Sequence, residues 1–599
     1  MFPCKCDFLL DLPSQTRIMA PMYIETVPNR NSPPAVLLRE GWREGRRTRK
    51  RTLANLSHWP QHKIEALRLL LKGHTMVPVE QKERIERSLP HGHVEAILGT
   101  IRKIGLDRVI ASKRSRPRDL VVAMIAERLI HPCSKLATTR LWSATTLAGE
   151  LGVADAEVDE LYDALDWLLA RQGRIENKLA RRHLGAGGQV LYDVSSSYYY
   201  GRTCPLAQRG HDRDGRKGLP IIVYGVMTDA GGRPLSVDVY AGNTGDPSTV
   251  PGQVDKLRER FGLERVVLVG DRGMLTQTQI ERLKSHPRLG WISALRSGAI
   301  RKLAEAGAIQ MSLFDEQNLA EISSPDFPGE GLIVCFNPLL ADERRRKREE
   351  LLEATQKQLE KLVRTVGRRT RTPLSASEIG LKAGKLVGRF KMAKHFELRI
   401  ADGVFAWRRK DESVAAEAAL DGIYIIRTSE PRERLSAADT VRSYKDLSHV
   451  ERAFRTLKGA DILIRPIRHR TEDHVRAHIF LCLLAYYVEW HMRQALAPLL
   501  FDDETLATDR RRRDPVAPAQ PSAPARRKKA TRESEGGFVT HSFQTLLAAL
   551  ATRCRHHCRT SVSSEKGEDL SVAYERLTEL DPLQKRALQL LGLFPVNGN

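Results

Sequence analysis

Cysteine, aromatic residues and long apolar runs are all scarce in this chain. It has 8 cysteines in 599 residues, too few for a disulfide scaffold and without a second pair at zinc-ligand spacing. Its first residues lack the continuous apolar stretch of a signal peptide. The longest apolar run, residues 479–488, is about half a bilayer span and predicts a buried core helix. We therefore expect a cytoplasmic protein without membrane segments.

Positive charge, by contrast, is in excess. Lys and Arg total 97 against 73 Asp and Glu, a formal net charge of +24. A field of this sign favours a polyanionic partner, either nucleic acid or an anionic membrane surface. Arginine-rich codon usage in a GC-rich genome is the alternative explanation. Because no membrane segment is expected, nucleic acid is the favoured partner.

The length of the chain and its local patterns predict seven segments, since 599 residues are too many for one compact core. In chain order these are a basic N-terminal segment (1–60), a helical region with basic faces (61–187), the first part of an α/β core (188–299), a strand-containing insertion (300–421), the second part of the core (422–500), a disordered basic linker (501–537) and a helical tail (538–599).

Within the α/β core the apolar period changes from helical to strand-like after Gly188. The predicted order is strand (190–200), strand (219–227), hairpin turn (229–232), strand (235–241), helix (249–261) and apolar strand (265–270). A ribonuclease-H-like core begins in this order. Further predicted elements are a charged helix (341–366), two strands (396–401 and 404–409), a return to the sheet (423–428) and helices from 437 to 496.

Three carboxylates stand where an α/β sheet gathers functional groups. Asp193 lies inside an apolar strand, where an unpaired charge is costly, and Asp271 follows the C-terminal end of another strand. Glu451 lies on a helix, with Arg455 and Lys458 on the same face, within about 40° of it. Singly, each acid has an ordinary structural explanation, such as a turn or a surface ion pair. Together they suit phosphoryl transfer, in which carboxylates hold two Mg²⁺ ions roughly 4 Å apart.

The segments around these acids resemble the DDE transposases of bacterial insertion sequences, in the group marked by Tyr-x2-Arg-x3-Glu-x6-Lys. Tyr444, Glu451 and Lys458 stand at the spacing of that signature. LYDVSSSYYYG and VVLVGDRGM resemble the segments of the first and second acids, and AGNTGD resembles the family's Gly-Asn loop. The match spans about residues 188 to 490. One departure is Leu447, which occupies the position of the signature arginine.

The resemblance implies a multidomain α/β fold, with a ribonuclease-H-like mixed sheet, an insertion and a mainly helical N-terminal region that binds the element's terminal inverted repeats. Asp193, Asp271 and Glu451 would be catalytic and hold two Mg²⁺ ions, with Mn²⁺ as a substitute. Tyr444 and Lys458 would contact DNA phosphates, and either Arg452 or Arg455 would supply the cation missing at the signature position. The partners would be transposon ends, target DNA and a second copy in a homodimeric synapse.

Two other functions share several of these features. A transposase-derived repressor would bind DNA without catalysis and would not need all three acids. A ribonuclease-H-like nuclease would cut DNA without joining it. The transposase hypothesis requires carboxylates 78 and 180 residues apart in sequence to converge.

Overall fold

The computed structural model describes residues 22–595 apart from 31, 45–46, 74–83, 186, 264, 287, 311–313, 315–317 and 561–571. The chain forms two compact units, one of Met1–Ser88 with His556–Arg576 and the other of Leu89–Arg555 with Leu577–Asn599. Residues 1–21 of the predicted basic segment lie outside the described residues.

The first unit contains strands that the sequence did not predict. Its antiparallel sheet consists of β1 (Met22–Val27), β2 (Ala35–Glu44) and β3 (Arg47–Asn55), in that order, followed by helix α1 (Gln61–Leu71). β3, RTRKRTLAN, is almost wholly exposed and has no apolar alternation, so pairing with β2 rather than burial makes it a strand. A second sheet has the order β16 (Ala573–Leu577), β15 (Cys554–Arg559) and β4 (Arg84–Pro90). The predicted helical tail thus also contains two strands.

The second unit begins with the predicted helices. They are α2 (Gly92–Lys103), α3 (Leu106–Ile110), α4 (Arg116–Ile130), α5 (Lys135–Leu141), α6 (Leu147–Leu151), α7 (Val158–Leu169) and α8 (Gln172–His183). Their apolar residues share one core with α17 (Glu472–Leu496), so this region is not separate from the α/β core as its predicted boundary implied. The apolar run 479–488 is buried in α17, as predicted. None of the described helices is both long and apolar enough to cross a membrane.

An eight-stranded mixed sheet forms the centre of the second unit. Its strands are β5 (Gly188–Tyr198), β6 (Ile221–Asp229), β7 (Pro234–Ala241), β8 (Val266–Val269), β9 (Leu289–Ala294), β10 (Leu319–Ile322), β11 (Gly331–Phe336) and β14 (Ile423–Thr428). The order across the sheet is β10-β11-β14-β9-β8-β5-β6-β7. β5, β8 and β9 run parallel, and the other pairings are antiparallel.

Helices cover both faces of this sheet. They include α9 (Asp246–Asp255) with a π-helical turn (Lys256–Arg260), α10 (Gln277–Lys284), α11 (Ser297–Glu305), α15 (Ala437–Lys445) and α16 (Leu447–Lys458). Along β5, Tyr192 belongs to the apolar core that includes residues of α9, whereas Leu191 belongs to the core that includes residues of α16 and α17. Because side chains alternate along a strand, Asp193 faces the α16 side.

The insertion is shorter than predicted. It comprises α12 (Pro338–Gly367), α13 (Ala376–Phe390), β12 (Phe396–Ala401), β13 (Val404–Arg409) and α14 (Asp411–Ala418), which enclose their own apolar core. β12, β13 and β14 have the predicted bounds. β10 and β11 fall inside the predicted insertion but extend the main sheet, since β11 pairs with β14.

The predicted disordered linker, 501–537, is wrong. It contains α18 (Leu506–Arg512) and α19 (Ala523–Thr531), and α20 (Phe543–Ala551) and α21 (Pro582–Leu591) follow. Lys528 is 3% exposed, and its ammonium donates to the carbonyl oxygens of Ala497, Leu500 and Asp502 and to the carboxylate of Glu504. The composition of this segment indicated disorder because it is rich in charge. It could not show that the ammonium of Lys528 is buried among four acceptors.

Candidate active site

Asp193 and Asp271 lie side by side on neighbouring parallel strands. Leu191 of β5 pairs with Val269 of β8, and Asp193 and Asp271 each lie two residues after this pair. Because side chains repeat every second residue, both aspartates continue the face on which Leu191 and Val269 share a core. Asp193 is still within β5, whereas Asp271 is exposed just beyond the end of β8.

Backbone amides fix both carboxylates. Oδ1 of Asp271 accepts hydrogen bonds from the amides of Gly273 and Met274, each at 2.8 Å, in the turn that leads to α10. Oδ1 of Asp193 accepts from the amide of Val194 at 2.7 Å. Burial raises the pKa of Asp193 to about 7, and the nearby charge of Asp271 acts in the same direction. Two close carboxylates of this kind attract a cation.

Tyr444 connects the third acid to the first two. This tyrosine lies on α15, and burial raises its pKa to about 12. The carboxylates of Asp271, Glu451 and Asp193 contribute to this rise in the pKa, so all three lie within electrostatic range of one hydroxyl. Glu451 is exposed on α16, whose Val450, Phe454 and Leu457 pack in the core on the sheet face of Asp193. The structure therefore places the three predicted acids on the same side of the sheet.

Lys458 is engaged within the protein. Its ammonium lies 2.9 Å from Oδ1 of Asp214, and the guanidinium of Arg465 also pairs with this carboxylate. The side chain of Asp214 is buried, and burial opposes its ionisation, but the hydrogen bonds from both cations outweigh this and lower its pKa. The ammonium of Lys458, which the signature predicts to contact a DNA phosphate, is thus paired with the carboxylate of Asp214 in this structure.

The other predicted cations differ in position. Arg452 is close enough to Tyr486 of α17 to lower the pKa of that tyrosine, whereas Arg455 is exposed and its side chain makes no ion pair with the residues described. Leu447 is buried at the start of α16, as its apolar character predicts. Arg272 lowers the pKa of Tyr444 and so lies beside the acids. The sequence alone did not indicate this position for Arg272.

The loop between β5 and β6 adds residues that sequence reasoning missed. Arg213 of this loop lowers the pKa of Asp193 and pairs with Asp246. Asp246 begins α9 just after the cap position, which Gly245 occupies, and its charge raises the pKa of Asp193. The signal in the sequence that could have indicated this loop is the alternation of charges in residues 211–214, HDRD.

The donor set of this site is made of carboxylate oxygens, the ligands that Mg²⁺ prefers. No three His, Cys, Asp or Glu side chains in the described parts of the chain are close enough together to form a metal site. Asp193 and Asp271 follow paired positions of adjacent strands, and Glu451 lies within electrostatic range of the tyrosine that both aspartates affect. The residues fit a divalent cation by their chemistry and charge, with two of the three acids adjacent.

Replacing Asp193 by asparagine should change how stability depends on pH. The folded chain keeps this carboxyl protonated up to about pH 7, whereas the ordinary pKa is 3.8. The folded state therefore binds more protons between these values, and this contribution to stability is lost as the pH rises through them. In chelating buffer, the Tm difference between Asp193→Asn and wild type should shift in favour of the variant from about pH 4 to pH 8. Parallel Tm curves would contradict this, and Asp255→Asn, exposed on α9, is the control.

A close backbone contact holds the loop beside the acids. A Cβ at Gly242 would clash with the carbonyl oxygens of Ile221 and Gln208, and a Cβ at Gly210 would clash with that of Gly242. Gly242→Ala should therefore destabilise this unit by roughly 1–3 kcal/mol, because backbone atoms cannot move aside. Thermal unfolding measures this loss. Gly245→Ala is the control, since nothing lies within 4 Å of its Cβ, and equal Tm values for the two variants would refute the contact.

Residues 196–488 match the family model described as Transposase DDE domain, a range that includes Asp271, Glu451 and the mixed sheet apart from most of β5. The matched range begins three residues after Asp193. Residues 24–78 match the model of the IS1634 family transposase, N-terminal domain. The chain belongs to the DDE transposases of bacterial insertion sequences, as the resemblance predicted.

Among solved structures, the chain is similar to a piggyBac transposase in a synaptic complex with hairpin DNA, determined by cryo-EM. The identity is 10% and the TM-score 0.33, over 77% of this chain and 76% of that chain. No curated protein matches the chain.

Proposed function

We propose that this transposase binds the terminal inverted repeats of its own element and catalyses strand cleavage and strand transfer with Asp193, Asp271 and Glu451. The observation that carries the proposal is the electrostatic effect of all three carboxylates on Tyr444. Acids up to 258 residues apart in sequence have no ordinary structural reason to lie within electrostatic range of one hydroxyl. A site for metal-dependent phosphoryl transfer supplies such a reason.

The proposal includes a ribonuclease-H-like core. Its support is the strand order β7-β6-β5-β8-β9, in which three antiparallel strands precede two parallel ones. The acid of β5 and the acid after β8 then lie on adjacent central strands. In such open sheets, functional groups gather at the C-terminal ends of parallel strands.

Transposase DDE domains generally use divalent metals. We propose two Mg²⁺ ions here, with Mn²⁺ as a substitute, held by Asp193, Asp271 and Glu451. When bound, such ions would supply activation of the attacking oxygen and stabilisation of the leaving oxygen. The chain's own part is to orient Asp271 through hydrogen bonds from two backbone amides and to hold Asp193, itself half-buried, within the buried strand β5.

Polar and basic side chains around the three acids would position the DNA. Tyr444 would donate its hydroxyl proton to a phosphate oxygen, since its raised pKa keeps it protonated. Lys458 would contact a phosphate once that anion replaces the carboxylate of Asp214. Arg452 or Arg455 would supply the cation missing at Leu447. We propose action on both transposon ends and target DNA in a homodimeric synapse in the cytoplasm.

A joining assay tests the proposed function against its rivals. Duplexes that carry the inverted repeats flanking this reading frame are incubated with the full chain and Mg²⁺, with uncut and precut ends in parallel. We expect a free 3′-hydroxyl from the uncut end, joined products from the precut end, and neither in chelator. Cleavage without joining would identify a nuclease. Specific binding without cleavage would identify a repressor.

A further inference from the structure

β2 and β3 form a two-stranded arm that extends beyond their sheet. β1 pairs with β2 only from Ala35 to Glu40. From Gly41 to Glu44, β2 pairs with β3 alone, in a register that sets Trp42 opposite Arg49 and Glu44 opposite Arg47. The described side chains of the arm beyond Gly41 are all exposed. Over residues 41–44 and 47–51 the arm is therefore an exposed ribbon two strands wide.

The charge of this arm is concentrated on β3. Arg47, Arg49, Lys50 and Arg51 stand within five residues, and β3 contains no acid. Arg49 pairs with Glu44 and Lys50 with Glu25. The side chains of Arg47 and Arg51 make no hydrogen bond or ion pair within the described part of the chain. The arm thus presents two exposed cations that form no ion pair within the described part of the chain, although Glu44 and Glu40 stand opposite them in the register.

One face of the arm combines cations with an aromatic ring. Trp42 is 40% exposed, and by strand alternation it shares its face with Arg47, Arg49 and Arg51. Charged residues on an edge strand commonly prevent pairing with other chains, which would explain the arginines alone. Edge protection does not explain a large exposed indole among them. Pairing with β3 of a second copy would set like charges opposite each other, which is unfavourable.

We infer that the arm, residues 41–44 and 47–51, binds double-stranded DNA by entering its major groove. The major groove is about 12 Å wide and admits a two-stranded β-ribbon, whose strands lie about 4.8 Å apart. Arg47 and Arg51 contact phosphates or guanine edges, and Trp42 packs on the groove wall. The inference rests on the proposed function, because it takes the element's own end as the duplex. It assigns DNA contact to a β-ribbon outside the helical region predicted for that role.

Binding of end DNA by the full chain tests the arm. The double variant Arg47→Ala/Arg51→Ala should bind the end roughly a hundredfold more weakly, at about tenfold for each charge-assisted contact. The dependence of log K on log salt should also become shallower by about two phosphate contacts. The matched control is Arg526→Ala/Arg527→Ala, which removes two exposed adjacent arginines of α19. This control should bind within about twofold of wild type.

Methylation of guanine N7, which lies in the major groove, locates the contact. Wild type and control should protect guanines that the arm variant leaves reactive. Unchanged affinity and protection in the arm variant would overturn the inference, and so would tighter binding of single-stranded RNA than of duplex. If the wild type cuts the end while the arm variant binds normally, only the arm assignment fails. If the wild type neither binds nor cuts, the proposed function fails with it.

Discussion

Replacing Asp271 by asparagine is expected to abolish strand cleavage while leaving binding of the transposon end intact. The asparagine oxygen can still accept the hydrogen bonds from the backbone amides of Gly273 and Met274, so the turn after β8 should keep its shape. What is lost is a negative charge beside Asp193. Metal-assisted charge stabilisation is worth several kcal/mol, so the rate should fall by at least about a thousandfold.

A nicking assay on labelled end DNA, with band-shift binding in parallel, measures both parts of this prediction. Asp255→Asn makes the same chemical change on exposed α9 and should cut like wild type. Retained cleavage by Asp271→Asn would mean that the acids are misassigned. Joint loss of cleavage and binding would mean that Asp271 maintains the fold rather than the chemistry.

Replacing Lys528 by methionine is expected to unfold the segment around α19. The methylene stem is kept, but three carbonyl oxygens and the Glu504 carboxylate lose their donor. Removal of one partner from a buried charged group costs about 3–5 kcal/mol, and we expect about 3 because Glu504 stays partly exposed. Residues 501–537 should then become sensitive to protease.

Limited proteolysis and thermal unfolding measure this second effect. Lys529→Met is the matched control, because the adjacent Lys529 is exposed on the same helix. If both variants resist protease equally, the buried ammonium does not hold this segment. If both are cut equally, the net charge of the segment, rather than the four acceptors, determines its order.

The sequence predicted the elements whose signal is local. β12, β13 and β14 have the predicted bounds, because apolar and β-branched residues bounded by turn residues mark a buried or half-buried strand. The helices that carry Tyr444 and Glu451 also followed from the apolar spacing. Their signature spacing led to the family, which the matching models confirm.

The sequence could not predict elements that depend on a distant partner. β3 is a strand because β2 pairs with it. β10 and β11 belong to the main sheet because β11 pairs with β14, some ninety residues later, and β10 pairs with β11. The neighbours of the acids show the same limit. Arg213 and Asp214 come from a loop without a motif, and only folding brings them to Asp193 and Lys458.

By itself, the order of residues predicted the side chains to which we assign the chemistry of this transposase: three acids in recognisable segments, a tyrosine and a lysine at fixed spacing, in a strongly basic chain. The tertiary structure decided which charges find partners. Lys458 is paired with a buried aspartate and Lys528 with carbonyl oxygens, whereas Arg47 and Arg51 remain exposed. The physical reason is that the effect of a charge depends on its distance to other groups and on its burial, and neither is encoded in the neighbouring residues.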